Sequence, residues 1–115
     1  MKLYEGLKVV EFTTNIAGPT VGQWLAEYGA EVIHIERPVI GDDSRAYPPL
    51  VNGISIKYCT LNHGKKSVIL DLKDPDGNKI ARELCKDADI VLESTRPGVM
   101  DRLGLGYEAM HELNP

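Results

Sequence analysis

The chain has few of the residues that build cross-links, metal sites or membrane spans. Its 115 residues include two cysteines, Cys59 and Cys85, which are too few for a disulfide framework and have no CxxC spacing for zinc. No segment approaches the ~20 apolar residues that a transmembrane helix needs. We therefore expect no metal, no membrane contact, two buried reduced thiols and a cytoplasmic location.

Positive charge is also scarce. Thirteen Lys and Arg residues against 17 Asp and Glu residues give a net charge of −4. Surfaces that bind nucleic acid are normally basic, so we expect no nucleic-acid partner. With 43% apolar and 26% charged residues, the composition is typical of a soluble globular chain, and this length predicts one domain.

Short segments rich in Val and Ile alternate with helical patterns. This alternation predicts an α/β fold with a Rossmann-like parallel sheet and flanking helices. The predicted strands are residues 7–12, 31–36, 67–72 and 89–93. Such sheets bind ligands at the carboxyl ends of their strands, so the loops after these four strands form the candidate site.

The first predicted helix has clear signals at both ends. Pro19 suits its first turn, and Gly29 suits the position just after its last turn. Val21, Trp24 and Tyr28, together with Leu25, have helical spacing and are predicted to face the core.

The rest of the chain is predicted from local signals. Asp74 followed by Pro75 predicts the start of a helix whose core side carries Cys85. Residues 37–52 are predicted to form a long irregular loop, the kind of segment that often acts at a site. Weaker patterns predict helices over 54–61, 99–102 and 107–113.

Cationic residues stand next to the predicted strand ends. Arg37 follows the second strand and Lys73 the third, while Arg96 and Arg102 follow the fourth. Each cation suits a phosphate or an adenine face, and each also has an ordinary explanation as a surface ion pair or a helix cap. The residues alone predict an α/β domain with a possible nucleotide-like ligand.

Other polar residues are interpreted as structural. Asp42 and Asp43 are expected in a solvated turn with a local ion pair to Arg45, and His34 is expected to be a satisfied histidine within a strand. The pair Lys65-Lys66 is expected at a solvated strand edge. No nucleophile, base or metal cluster has supporting spacing, so we assign no catalytic or metal residue.

Three motifs, taken in order, resemble the class III CoA-transferase family, also known as the L-carnitine dehydratase/bile-acid-inducible protein F family. They are VVEFTTNIAGP (9–19) with GAEVIHIERP (29–38), GKKSVILDLKDPDG (64–77) and ADIVLESTRPGVMDRLGLGY (88–107). The resemblance implies that residues 1–115 are the N-terminal CoA-binding part of a large domain, with a sheet that is incomplete at its C-terminal end. It also implies an interlocked homodimer for the full-length protein.

The resemblance implies a set of CoA-binding residues in the strand-end loops. Ile16 and Ala17 would contact CoA through backbone groups, Arg37 would lie near the adenine, and Arg102 would reach the phosphates. Ser94-Thr95 and Asn15-Ile16 depart from residues found in some formyl-CoA-type members, which leaves the acyl substrate open. The full set is Ile16, Ala17, Arg37, Leu70, Asp71, Leu72, Lys73, Ser94, Thr95, Arg96 and Arg102.

The resemblance also implies the chemistry. In this family an aspartate attacks an acyl-CoA thioester to form a mixed anhydride, and a carboxylate acceptor then takes over the CoA. That aspartate would lie beyond residue 115, so the isolated chain is expected to be inactive. An α-methylacyl-CoA racemase-like member and a non-catalytic CoA-binding or assembly module remain alternatives.

Overall fold

The structure is a computed structural model, and it describes residues 2–115. Four parallel strands form the central sheet in the order β5-β2-β1-β6, and β3 pairs with β4 in a separate antiparallel ribbon. The strands are β1 (Lys8–Phe12), β2 (Glu31–Glu36), β3 (Leu50–Val51), β4 (Ile54–Ser55), β5 (Lys66–Ile69) and β6 (Ile90–Glu93). This confirms the predicted parallel α/β fold.

Helices cover both faces of the sheet. They are α1 (Ala17–Glu27), α2 (Ile56–Asn62), α3 (Pro75–Lys86), α4 (Val99–Arg102) and α5 (Tyr107–Leu113), with a 3-10 helix at Asp43–Ala46. The order of the four sheet strands is that of a doubly wound sheet, in which the direction of winding reverses between β1 and β6. The carboxyl ends of these two strands therefore flank a crevice.

The larger core lies between the sheet and the helices α3, α4 and α5. Val10 and Phe12 of β1 point to this side and meet Ala81 and Cys85 of α3. Asp74 caps α3 by accepting the backbone N–H groups of residues 76 and 77, as the Asp-Pro pair predicts. The cap and the apolar face together fix α3 against the sheet.

The opposite face of the sheet is only partly apolar. Val9 and Val32 pack there against Leu25 and Ala26 of α1. Because side chains alternate along a strand, Glu11 and His34 point to the same side as Val9 and Val32. The space beneath α1 therefore contains buried charge as well as apolar side chains.

The predicted core face of α1 is wrong for three of its four residues, since Leu25 alone among them packs against the sheet. Trp24 is 63% exposed and Tyr28 is 55% exposed, and Val21 is also exposed. The helix approaches the polar part of the sheet through Gly22 and Gln23, because a small residue lets it come close. Gly29 follows the helix with φ +108°, as its predicted place requires.

Two other expectations need correction. Residues 37–52 are not wholly irregular, since they contain the 3-10 helix and β3. Cys59 is exposed, so only Cys85 is the buried thiol that composition predicts. Within residues 2–115, no helix combines the length and the apolar character needed to cross a membrane.

Candidate functional site

A small cavity lies at the carboxyl ends of the four sheet strands. Its volume is about 170 Å³. Leu70, Leu72, Met100 and Leu103 supply much of its apolar lining. The other lining residues are Phe12, Thr13, Thr14, Ile35, Glu36, Arg37, Gly41, Asp42, Ser94 and Thr95.

The loop after β1 reaches the cavity and leads into α1. Gly18 lies in the first turn of α1, where an added Cβ would stand 2.6 Å from the Cβ of Thr13 and 3.0 Å from that of Ser94. This close approach requires glycine. Thr13 is buried, and its hydroxyl has no hydrogen-bond partner among the described residues.

The loop after β1 leads into the amino end of α1, whose Ncap residue is Ile16, and no side chain of residues 2–115 caps it. Such ends carry partial positive charge and favour anionic groups. Ile16 and Ala17 therefore occupy a position where backbone groups can meet a ligand.

The segment after β2 forms one wall of the cavity. Arg37 is half exposed at the rim, pairs with the carboxylate of Asp43 and donates from Nε to the carbonyl of Gly41 at 3.2 Å. This ion pair is the ordinary surface pairing that the sequence allows for Arg37. It keeps the guanidinium at the mouth of the cavity.

A cationic groove adjoins the cavity between α3 and α4. It shares Leu72 and Leu103 with the cavity and has a volume of about 800 Å³. Typical ligand pockets measure ~300–1,000 Å³, so a sizeable ligand would need the groove as well as the cavity. The cations along the groove are Lys73, Lys79, Arg82, Lys86 and Arg102.

The structure brings most, though not all, of the predicted residues together. Arg37, Leu70, Leu72, Ser94 and Thr95 line the cavity, and Lys73 and Arg102 line the groove. Arg96 lines a neighbouring hollow beside Tyr107, which shares Thr95 and Met100 with the cavity. The carboxylate of Asp71 accepts the backbone N–H of Lys73 at 3.0 Å, which shapes the loop after β5.

Four charged residues lie buried beneath the loop after β1, and we call them the buried charge chain: Lys65, Glu11, His34 and Asp42. Lys65 Nζ donates to Glu11 Oε1 at 2.7 Å, and His34 Nδ1 lies 2.6 Å from the same oxygen. His34 Nε2 lies 3.1 Å from Asp42 Oδ2. The expectations of a solvated Asp42 and a solvated Lys65 are therefore wrong. His34 lies buried within a strand as expected, but it is only half satisfied among the described residues, because Nε2 bonds Asp42 whereas Nδ1 lies close to Glu11 without the angles of a hydrogen bond.

The pKa values of the buried charge chain follow from burial and pairing. Burial alone lowers the pKa of His34, but the hydrogen bond with Asp42 and the nearby Glu11 carboxylate outweigh it and raise that pKa above its usual value. Burial opposes ionisation of Asp42, but hydrogen bonds from His34 and Ser44 hold its pKa below the usual range. Burial lowers the pKa of Lys65, opposed by Glu11.

A second buried carboxylate, Glu36, ends β2. It accepts hydrogen bonds from Arg45, Tyr58 and Ser67 and from the backbone N–H of Asp42. Burial raises the pKa of this carboxyl group, but these donors, with Arg45 first, hold it far below its usual value. All of these hydrogen bonds lie within the chain, so Glu36 serves to fix the wall of the cavity.

Sequence reasoning missed Thr13 and Glu36, as well as the polar residues beneath α1. The available signal was a charged residue inside an otherwise apolar strand, namely Glu11 in KVVEF and His34 in EVIHIE. Buried charges are rare without partners, so each predicts an oppositely charged neighbour. The partners come from distant segments and could not be identified from spacing.

Comparison with known proteins gives a consistent result. The model of a family described as "CoA-transferase family III" matches residues 4–115. The chain is 41% identical over 115 residues to a formyl-CoA:oxalate CoA-transferase of Bradyrhizobium sp. (strain ORS 278), covering 99% of this chain and 27% of that protein. It is 42% identical over 116 residues to the succinyl-CoA:glutarate CoA-transferase of Homo sapiens, covering 100% of this chain and 26% of that protein.

Solved structures agree with this result. A CAIB/BAIF family protein from Brucella suis superposes with a TM-score of 0.93 at 39% identity, covering 99% of this chain and 31% of that one. The chain thus spans about a quarter of the length of the curated relatives named above. The fold and the motifs match over practically all of the 115 residues.

Proposed function

The chain belongs to CoA-transferase family III, and from this membership we propose that it binds the nucleotide part of CoA for an enzyme that transfers CoA between an acyl-CoA and a carboxylic acid. The observation that carries the proposal is the pairing of an apolar cavity with a cationic groove at the carboxyl edge of the sheet. CoA has the matching chemistry, since a flat apolar base is joined to phosphate groups.

Each part of the site has a proposed task. The adenine would lie in the cavity against Leu70 and Leu72, with the Arg37 guanidinium over its face. Lys73 and Arg102 would meet the phosphates from the groove. The loop at Ile16 and Ala17, at the amino end of α1, would contact the ligand through backbone groups.

The other residues of the proposed CoA site complete the walls. Asp71 would shape the loop after β5, while Ser94, Thr95 and Arg96 would surround the ligand beyond β6. We assign none of the described carboxylates the part of nucleophile. Glu11, Asp42 and Glu36 are buried and paired, and we propose that the reacting aspartate lies C-terminal to residue 115.

The proposed substrates are an acyl-CoA and a carboxylate acceptor. The acceptors named for the two relatives, oxalate and glutarate, are both dicarboxylates. A dicarboxylate is therefore the first acceptor to assay with the full-length protein, for which we propose an interlocked homodimer. A racemase would instead incorporate deuterium from solvent at the α-carbon without transferring CoA, and a binding module would do neither.

Calorimetric titration of CoA into the protein tests the proposed CoA site. Replacing Arg102 by Gln removes a charged donor, and hydrogen bonds to charged groups contribute about 1.5–3 kcal/mol, so we expect Kd to rise roughly tenfold or more. Arg37→Gln should also weaken binding. The matched control is Lys66→Gln, because Lys66 is exposed at the amino end of β5 and pairs with Glu31. Unchanged affinity in both arginine variants would overturn the assignment.

A further inference from the structure

We propose that the buried charge chain positions the loop after β1 for CoA binding, and that this loop loosens when His34 loses a proton. The inference rests on the proposed function, because it assigns a task to residues around the proposed CoA-contacting backbone. Lys65, Glu11 and His34 would act as positioning residues through the loop, while Asp42 both holds the loop and lines the cavity.

The buried charge chain holds the backbone on both sides of Ile16 and Ala17. At the start of the loop, Asp42 Oδ1 accepts the backbone N–H of Asn15 at 3.1 Å. Just beyond the loop, in the first turn of α1, Lys65 Nζ donates to the carbonyl oxygen of Pro19 at 2.8 Å. These two contacts hold the backbone on either side of Ile16 and Ala17 and so restrict its movement.

The loop needs this support because Asn15 has an uncommon conformation. Its φ is +71°, in the left-handed region, which costs energy for residues other than glycine and persists where the surroundings impose it. The Tyr47 hydroxyl donates to the side-chain oxygen of Asn15, and the Asn15 N–H is held by Asp42 as described. Loss of the Asp42 contact would allow Asn15 to relax.

Asp42 is oriented from two sides: Oδ1 accepts Ser44 N and Oγ at 2.8 and 2.7 Å, and Oδ2 faces His34 Nε2 at 3.1 Å, so the proton on His34 acts on the second side. Both ring nitrogens face carboxylate oxygens, Nδ1 facing Glu11 and Nε2 facing Asp42. Only a doubly protonated imidazolium can donate to both. A neutral ring that keeps its proton on Nε2 would turn the Nδ1 lone pair towards Glu11 Oε1 at 2.6 Å, and the repulsion would displace the ring that holds Asp42 Oδ2.

The charges of the chain also favour the imidazolium. Lys65 satisfies its three N–H donors with Glu11, the Pro19 carbonyl and Asn62. The protonated chain then contains two positive and two negative groups, and deprotonation of His34 leaves a buried net charge of −1. Packing gives no room to relax, since a Cβ on Gly22 of α1 would collide with the Glu11 carboxylate.

The direction of the pH dependence follows. The charged groups that act on His34 among the described residues are Glu11 from β1, Asp42 from the loop before the 3-10 helix, and Lys65 from the turn before β5, whereas α1 presents Gly22 and Gln23. Burial and the Lys65 charge lower the pKa of His34, but Asp42 and Glu11 outweigh them and raise it, so the stabilising effect of the imidazolium is complete below ~6.5 and is lost as pH rises through the raised value. We expect the loop to loosen in that alkaline range.

The test follows the loop and the ligand separately. In the uniformly ¹⁵N-labelled protein, NMR gives the protonation state of each histidine ring and the exchange protection factor of the Asn15 amide as functions of pH. We expect an imidazolium at His34 at pH 6, and a fall in Asn15 protection that follows its titration. Each unit by which the closed loop raises the pKa of His34 corresponds to about a tenfold fall in the Asn15 protection factor across the titration.

Variants and the ligand complete the test. His34→Gln should remove the pH dependence of Asn15 protection and of CoA affinity, whereas His63→Gln, at an exposed histidine near Glu27, should leave both intact. A neutral His34 ring at pH 6, or Asn15 protection that ignores the titration, would overturn the proposal even if the His34 variant failed to fold. If Asn15 protection follows the titration of His34 but the protein binds no CoA at any pH, the proposed function is overturned instead.

Discussion

Arg45 holds Glu36 by two nitrogens of its guanidinium group. Nε donates to Oε2 and Nη2 to Oε1, each at 2.7 Å, and the carboxylate is almost fully buried. The pair joins the end of β2 to the 3-10 helix, and the intervening segment carries Arg37 at the rim of the cavity. Two parallel hydrogen bonds fix direction as well as distance, so this pair determines where that wall of the cavity lies.

Replacing Arg45 by Met should destabilise the protein. Glu36 keeps the Tyr58 and Ser67 hydroxyls but loses Arg45, its one cationic donor within residues 2–115, and a buried acceptor left short of partners costs about 1–3 kcal/mol. Urea denaturation measures the change. Lys66→Met is the control, because its exposed pair with Glu31 should contribute about 0–1 kcal/mol. Equal losses in the two variants would contradict the role given to Glu36.

Acid should destabilise the protein partly through Glu36. Its pKa is lowered on folding, so its contribution is present above ~4.3, the value in the unfolded chain, and is lost as pH falls through the lower folded value. We expect the free energy of unfolding to drop between pH 7 and pH 3, with a smaller drop in Glu36→Gln. Equal drops would show that Glu36 is not ionised and paired in the folded protein.

Gly18→Ala should disturb the loop after β1. The new Cβ would stand 2.6 Å from the Cβ and Cγ2 of Thr13, and overpacking of this kind costs about 1–3 kcal/mol. CoA affinity should fall together with stability, as measured by calorimetry and urea denaturation. Thr13→Ser in the same chain removes Cγ2 and should recover part of the loss. No recovery would mean that the contact does not cause the defect.

The two thiols should differ in reactivity. Cys59 is exposed, whereas burial raises the pKa of the Cys85 thiol to about 11. Only the thiolate reacts, so a disulfide reagent at pH 8 should label Cys59 in the native protein and Cys85 only after unfolding. Cys59→Ser should abolish native labelling. Labelling of Cys85 in the native variant would contradict its place in the core.

Local signals in the sequence predicted the framework well. Asp74-Pro75 and Gly29 act through their own backbone geometry, so neighbouring residues suffice to identify them. The exposed Trp24 shows the limit. A helical stripe of large apolar residues normally faces the core, but α1 faces a polar patch that its small residues fit better.

The site was also predicted only in part, because some of its residues meet only in the folded sheet. Arg37 and Lys73 stand next to strand ends, which a sequence pattern can identify. The buried charge chain joins residues up to 54 positions apart, and only the folded sheet places Glu11 beside Lys65. A charged residue inside an apolar strand shows that a partner exists, while the register of the sheet determines which one it is.

The central claim is that CoA binds at the carboxyl edge of the sheet, and NMR during a CoA titration tests it most directly. We expect backbone amide shifts to change in the loops after β1, β2, β5 and β6, over residues 13–18, 37–42, 70–73 and 94–96. The chemical shifts of amides at the opposite edge of the sheet, such as that of Lys66, should stay constant. Shifts confined to other parts of the chain, or none at saturating CoA, would contradict the claim.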